Sequence, residues 1–552
     1  MFKWLKSGAP WIWLTGGAVS ISLLSVLGLL LLIGWKGLSY FWPAPLYQWT
    51  TDEGQILVGQ LYAEEYVPIS HLKEMDISLP PHVEQSGKVK RLRIKVANRD
   101  IYPADFISIL EIDVLKRSEP QGWAVIERTR GGDFYGLPVA YQLADGTKLE
   151  QYQSELKRAL NYSYSVREQI NQIITQEIRV ISVQANDLRL EKRKYELNHP
   201  QNSLKNEEFI NRYAAQSNLY SQRLAEAEAK LDDLRAKLAK QGLLVQDMTG
   251  KTMLIPLSHI LDMWYPNQMT FMEKGVHWGK QVWKFLADNP RESNSEGGVF
   301  PAMFGTVLLV LIMSVIVMPL GVVAAIYLHE YAKNNLFTRI IRVAVINLAG
   351  VPSIVYGVFG LGFFVYILGA SIDNVFYAEQ LPAPTFGTPG LLWSALTLAV
   401  LTLPVVIVAT EEGLTRIPNS VRHGSLALGA TQFETMWRIV LPMASPAIIT
   451  GLILAVARAA GEVAPLMLVG AVKFASSLPV DAQFPYLHLE RKFMHLGFHI
   501  YDVGFQTTNI ESARPLVYAT SFLLVTVIIG LNLTAISIRN NLREKYRTLG
   551  QD

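Results

Sequence analysis

Uncharged runs long enough to cross a bilayer constrain this chain more than any other feature it has. Five are free of charge throughout: Ser7 to Trp35, Val299 to Leu328, Val343 to Ile372, Gln380 to Thr410 and Pro515 to Ile538. Another, Pro442 to Val472, fifth in chain order, is interrupted only by Arg458 and Glu462 among long stretches of apolar residues. Each exceeds the roughly 20 residues that a helix needs to span the hydrocarbon layer. Six spanning helices follow as the expectation. The first run is too long for a cleaved signal peptide, and no small-residue cleavage pattern follows it.

Positive charge orients those helices, because cytoplasmic connections are enriched in Lys and Arg. Lys3 and Lys6 precede the first run, which places the N-terminus in the cytoplasm. The remaining inside segments agree: Lys333, Arg339 and Arg342 follow the second run, and Arg416, Arg422 and Arg438 the fourth. Arg539, Arg543, Lys545 and Arg547 follow the sixth, so both termini are expected inside. The connection 373–390 has no Lys or Arg, as an outside loop should. Residues 37–298 then lie outside the cytoplasm. The net charge of +3 argues against a nucleic-acid binder, and the absence of cysteine removes disulfides, thiolate catalysis and Cys-based metal sites.

The polar stretch divides in two. Residues 55–150 read as strands and turns: "KRLRIKVANRD" and "DFISILEIDVLKR" alternate charged and apolar residues, and "RGGDFYGLP" and "LADGTK" are turn chemistry. From Gln151 the period becomes helical. Ile174, Ile178, Ile181, Ala185, Leu188 and Tyr195 recur along one face; "NHPQNSLKN" interrupts it. Tyr220, Leu224, Ala227, Leu231, Leu234 and Leu238 then continue in heptad register. The expectation is an α+β domain carrying an antiparallel coiled-coil hairpin over about 151–241. Gly250-Lys251-Thr252 imitates the tail of a phosphate-binding loop. The glycine required five residues earlier is Val245, so a turn between short strands is the better reading.

Between the fourth and fifth runs stands "TRIPNSVRHGSLALGATQFETMWRIVLPMASPAIITG", in the loop 411–441 and beyond. It reads as a short helix, a break at Gly429 and a second amphipathic helix, with Pro442 opening a span. Phe433, Met436 and Trp437 give the second helix an apolar edge, which either packs on its own protein or docks into a partner's groove. The segment resembles the signature loop of ABC-importer permeases: E-A-A, three residues, Gly, nine residues, I-x-L-P. Gly429, Ile439, Leu441 and Pro442 match at that spacing, while His423, Gly424 and Ser425 occupy the Glu-Ala-Ala positions. "AGVPSIVYGVFGL" (349–361) and "GEVAPLMLVGA" (461–471) are similar to the PstA-type permease subunits of phosphate ABC importers.

The resemblance implies a type I ABC-importer permease fold over 299–545, with the first span in 1–36 and a large periplasmic insertion over 37–298. It implies a transport subunit of the bacterial inner membrane without an ATPase site or cofactor of its own. The partners it implies are a PstC-like permease subunit, a cytoplasmic ATPase dimer and a periplasmic phosphate-binding protein. The loop residues His423, Gly424, Ser425, Gly429, Phe433 and Trp437 would then couple transport to the ATPase.

Arg458 and Glu462 are the candidate pathway residues. An intramembrane charge costs a few kcal/mol or more, and so marks function or a structural pair. Spaced i,i+4, the two either neutralise each other as bundle glue or hold a guanidinium ready for an oxyanion. Ser353 and Tyr356 offer hydroxyls beside Pro352, which is expected to bend its helix. Gly350, Gly357 and Gly360 equally suit close packing. His488, Glu490, His495, His499 and Asp502 form a His/acid cluster that reads as an interface loop ahead of a metal site. Sulfate or molybdate transport, or a membrane-anchored coiled-coil sensor, remain the alternative functions.

Overall fold

The computed structural model describes all residues except 1–8, 75–86, 103, 200–206, 292–293, 334, 508–509 and 548–552. Lys3 and Lys6, used above for orientation, lie outside the described residues. So does most of "NHPQNSLKN". The chain divides into two compact units, Phe41–Trp283 on one hand and Met1–Tyr40 with Lys284–Asp552 on the other.

The unit 41–283 is built on two antiparallel sheets. The first contains β1 (Tyr47–Thr51), β2 (Ile56–Pro68), β3 (Lys88–Lys95), β4 (Phe106–Leu110) and β5 (Val114–Ser118), in the order β4-β3-β2-β1-β5. Its buried face carries Trp49, Leu57, Leu92 and Ile94, the apolar half of the alternation visible in the sequence. The second sheet contains β6 (Ala124–Arg128), β7 (Phe134–Gln142), β8 (Lys148–Leu149), β9 (Gly242–Gln246), β10 (Thr252–Pro256) and β11 (Ile260–Trp264). Its order is β10-β9-β7-β6-β11, with β8 beside β7. The Gly-Lys-Thr decoy is the β9–β10 turn. Asp247 Oδ1 accepts from the amides of Thr249 at 3.0 Å and Lys251 at 2.8 Å, and Gly250 has φ +86°. A phosphate loop must open a helix; this turn opens a strand.

Two long helical stretches leave and return to the second sheet. One runs Gln153–Gln172, through wider π-type turns at Ile173–Ile178, and on through Arg179–Asn198; the other is Glu207–Ala239. They are antiparallel, since Glu177 pairs with Lys230 at 3.2 Å and Glu191 with Arg212 at 2.9 Å. Leu188, Ala227 and Leu231 are buried along the way. The base belongs to the sheet: Leu156, Ala159, Val166 and Leu238 share one core with Phe134, Tyr141, Leu243 and Val245.

Among the described residues of the other unit, six helices are long and apolar enough to cross a membrane: Trp11–Ser39, Phe300–Tyr331, Ser353–Phe376, Leu391–Thr415, Gln432–Gly461 and Ile510–Leu542. The second, fourth and fifth form the centre, where Leu309, Met313, Leu398, Val406, Ala455 and Ala459 pack together. Small residues allow the approach: a Cβ on Gly413 would stand 2.6 Å from that of Ala447. The first helix meets the sixth near its own C-terminal end, at Gly34 against Phe522 and Gly37 against Ala519.

Two spans depart from the apolar-run count. The third does not begin at Val343. Leu336–Leu348 is a separate amphipathic helix, capped by Asn335, whose Oδ1 accepts from the Thr338 amide at 2.8 Å. The chain turns at Ala349–Pro352 and restarts as helix at Ser353. Proline lacks an N–H and disfavours helix in the residue before it, so Pro352 ends one helix and begins the next instead of bending a continuous one. The fifth span does not open at Pro442 or run to Val472. It starts at Gln432, joined without interruption to the preceding amphipathic turn, and stops at Gly461.

Candidate functional site

Arg458 lies in the last turn of the fifth span, and Glu462 is its C-cap with extended backbone (φ −76°, ψ 134°). The two side chains pair at 3.5 Å, Nε to Oε1. The sequence reading of an i,i+4 pair holds, but its setting differs: the pair closes a helix end instead of interrupting a helix. A cation there is favoured by the carbonyls that the last turn leaves unpaired. The side chains remain 32% and 20% exposed, so neither is sealed in the bundle.

The chain resumes as the short helix Ala464–Val469, with Pro465 in its first turn. That helix packs on the start of the third span. A Cβ on Gly357 would fall 2.7 Å from Pro465 Cα, and one on Gly360 would fall 2.2 Å from Thr397 Oγ1. Gly357 and Gly360 therefore serve close packing. Gly350 meets nothing beyond the Asn347 carbonyl of its own turn. Tyr356 is buried, and its hydroxyl donates to the Leu348 carbonyl at 2.6 Å, across the break. Its proton is thus committed to holding that break together. The two helices that restart after the interruptions at 349–352 and 462–463 pack against each other where Gly357 adjoins Pro465. Ser353, half-buried, is the first helical residue after the earlier break.

The 416–441 segment is an elbow capped on both sides of its bend. Helix Asn419–Ala427 stops in a Schellman motif: the Gly429 amide donates to Leu426 O at 3.0 Å and the Ala430 amide to Ser425 O at 3.3 Å. Gly429 has φ +90°, the left-handed conformation this stop requires. The next helix starts at once with a Thr431–Glu434 capping box. The buried hydroxyls of Ser425 and Thr435, 2.9 Å apart, lock the two arms of the elbow. Leu428, Phe433 and Trp437 are exposed, and the last two rings stack with centroids 6.3 Å apart. His423 and Gly424 are exposed as well. Met436 does not join that edge. It is buried with Leu414, Ile417, Val440 and Ala444, because it stands about 100° around the helix from Trp437, on the side the bundle covers.

Two residues central to this elbow show in the sequence only as charges. Arg422 donates to Glu330 at 3.0 Å and to the carbonyls of Ile417 at 2.7 Å and Leu414 at 2.9 Å. Glu330, at the end of the second span, also meets His329 at 2.9 Å. This half-buried node ties the elbow to the bundle. An isolated glutamate closing an apolar run was the available signal.

The His/acid residues separate into two groups. His488 lies between Asp481 (3.0 Å) and Glu490 (3.2 Å), and Arg491 pairs with Asp481 at 2.6 Å. Burial alone would raise Asp481, but bonds from Arg491, the Gln483 amide and His488 outweigh it and hold the carboxyl at about 2. Asp502, fully buried, meets Lys473 at 3.2 Å and Asn294 at 3.1 Å. His495 and His499 are buried nearby on the 495–501 turn, and burial depresses each imidazole to about 4. Among the described residues, no three of these groups converge as metal ligands would.

Six apolar helices among the described residues, a capped elbow with exposed aromatics and a paired charge at a helix break together define a polytopic membrane permease subunit. The chain belongs to the family described as the binding-protein-dependent transport system inner membrane component, which matches residues 317–548. It is 31% identical over 257 residues to the probable ABC transporter permease protein YqgI of Bacillus subtilis (strain 168), covering 46% of this chain and 81% of that one. It is 34% identical over 244 residues to the phosphate transport system permease protein PstA 1 of Mycobacterium tuberculosis (strain CDC 1551 / Oshkosh), covering 44% and 71%. A solved MetNI methionine ABC transporter in an inward-facing form aligns at 19% identity over 48% of this chain and 98% of that chain, with a TM-score of 0.33. The fold is that of a type I ABC-importer permease with an additional α+β region.

Proposed function

We infer that this chain imports inorganic phosphate as one permease subunit of an ATP-driven transporter. The observation that carries the reading is the Arg458–Glu462 pair at the helix break that ends the fifth span. Broken helices within a membrane leave backbone groups free to meet an ion, and are tolerated where they line a polar path. A guanidinium can hold an oxyanion bidentately. A carboxylate 3.5 Å away keeps that hold weak enough for release. The named function of the mycobacterial relative supports phosphate as the oxyanion.

In this reading Arg458 meets the anion and Glu462 moderates it. Ser353 adds a hydroxyl at the start of the third span, and Tyr356 fixes the break instead of donating to the substrate. The partners are a PstC-like subunit, an external phosphate-binding protein and a cytoplasmic ATPase dimer that supplies the hydrolysis this subunit does not perform. The elbow docks in the ATPase through Leu428, Phe433 and Trp437, with His423, Gly424 and Ser425 in the signature positions. Residues 37–298 lie outside, and their paired helices act as a coiled-coil arm.

The test is uptake by the reconstituted complex. Arg458→Gln should assemble normally and lose nearly all phosphate uptake. Sulfate and molybdate should neither enter nor stimulate hydrolysis in the wild type. Wild-type phosphate uptake by assembled Arg458→Gln would end the pathway role, and stimulated sulfate uptake would end the assignment to phosphate.

A further inference from the structure

Helix Phe271–Ala287 uses one face and leaves the other bare. On the used face, the His277 ring packs on Trp264 of β11 with centroids 4.5 Å apart, and Lys280 reaches across to Asp262 at 2.7 Å. A Thr270–Glu273 capping box fixes its start. The bare face carries Phe271, Met272, Val276 and Trp283, which are between 70% and 82% exposed. At about 100° per residue, Met272, Val276 and Trp283 fall within roughly 40° of one another. That is one narrow apolar stripe, with Lys280 at its margin. Singly exposed apolar residues are ordinary, but an aligned row ending in a tryptophan marks a binding surface.

We propose that this stripe lies in the interfacial layer of the bilayer. Chain reach argues for lipid as the occupant. Trp42 stands three residues beyond Ser39, the end of the first span, so it remains within about 10 Å of that end. The Phe271 ring meets the Trp42 ring at 5.6 Å. The start of the helix is therefore tethered beside the membrane edge. Its other end, Ala287, precedes the second span at Phe300 by thirteen residues. A helix held this way, with Met, Val and Trp on one face, Phe at its start and lysine at the border, has the composition of helices that lie in the headgroup region.

The chain contains no cysteine, so Val276→Cys gives the full-length protein a single thiol. That thiol is labelled with an environment-sensitive fluorophore, and the protein is reconstituted in phosphatidylcholine–phosphatidylglycerol vesicles. A nitroxide lipid labelled near the headgroup should quench the probe severalfold more than one labelled near the chain end, and aqueous iodide should quench it little. Lys251→Cys, in the exposed β9–β10 turn, should respond to iodide and not to the nitroxide lipids. Met272→Cys, one turn away on the same stripe, should repeat the Val276 result if labelling has not disturbed the helix. Iodide quenching of Val276 and Met272 at the Lys251 level would overturn the proposal, since the stripe would face water. Protection from both iodide and nitroxide lipid would overturn it equally, since protein would then cover the stripe.

Discussion

At the scale of single residues, the structure separates groups that sequence spacing treats alike. Tyr356 and Ser353 both looked like hydroxyl donors for an anion, but the Tyr356 proton is given to Leu348 at 2.6 Å. Tyr356→Phe should therefore behave as a positioning defect. It should lower the maximal uptake rate and loosen protease protection around 349–352, with the apparent affinity for the loaded binding protein unchanged. A changed affinity with normal protection would put the hydroxyl elsewhere. Glu462→Gln should also impair uptake, and its double mutant with Arg458→Gln should be non-additive, because the two share one interaction. His495 and His499 permit a statement about pH. Burial holds each near 4, below the ordinary histidine value of about 6.5, so the unfolded chain binds their protons first as acid is added. Their neutral burial costs nothing above about pH 6.5, and stability falls as the pH drops from there toward 4. The loss is on the order of 3 kcal/mol for each imidazole. The unfolding temperature in detergent should decline across that window, and His499→Gln should flatten the decline. An unchanged slope in that variant would show that other groups set it.

At the scale of elements, what could be read was whatever local chemistry encodes. The elbow is the clearest case: Gly429 as helix stop and Thr431-x-x-Glu434 as helix start both stand in the sequence, and both form as such. Gly429→Ala meets no neighbour within 4 Å, so its cost is the left-handed backbone alone, about 1 kcal/mol. The assembled complex should tolerate it, with weaker stimulation of hydrolysis by loaded binding protein. Trp437→Glu should abolish that stimulation by placing a charge on the docking edge, while basal hydrolysis and assembly persist. Full stimulation with Trp437→Glu would mean that this edge does not dock. The third span shows the limit of counting apolar residues. "LAGVPS" contains no charge, so the count runs through a real interruption, although Gly350 and Pro352 signalled it. Met436 and Phe433 are both apolar and three residues apart, and only tertiary packing decides which one the bundle covers. Helix Phe271–Ala287 is hard to see in the sequence for the opposite reason: its stripe is diluted by Lys and Glu, and average polarity conceals its periodicity.

At the scale of the whole molecule, the inserted unit and the permease unit have separate cores, one around the second sheet and one around the second, fourth and fifth spans. Hydropathy made that division legible. The partnership between arm and sheet was not, because residues 156–166 and 238 look like ordinary heptad positions until Leu243 and Val245 are seen beside them. The consequence is practical: removal of all of 151–241 would strip the second sheet of part of its core, and each large buried side chain lost there costs about 2–5 kcal/mol. Glu177 and Lys230 face each other at 3.2 Å, which identifies a level where the helices can be joined. Excising 178–229 and bridging the cut with a few glycines and serines keeps Leu156, Val166 and Leu238 in place. The shortened chain should assemble with its partners and hydrolyse ATP at the basal rate. If the arm guides loaded binding protein to the permease, uptake should fall severalfold at limiting phosphate, where capture is slow, and recover at saturating binding protein, where it is not. An equal loss at both concentrations would place the arm's effect on turnover instead of capture. Unchanged uptake at limiting phosphate would mean that the arm serves a different partner.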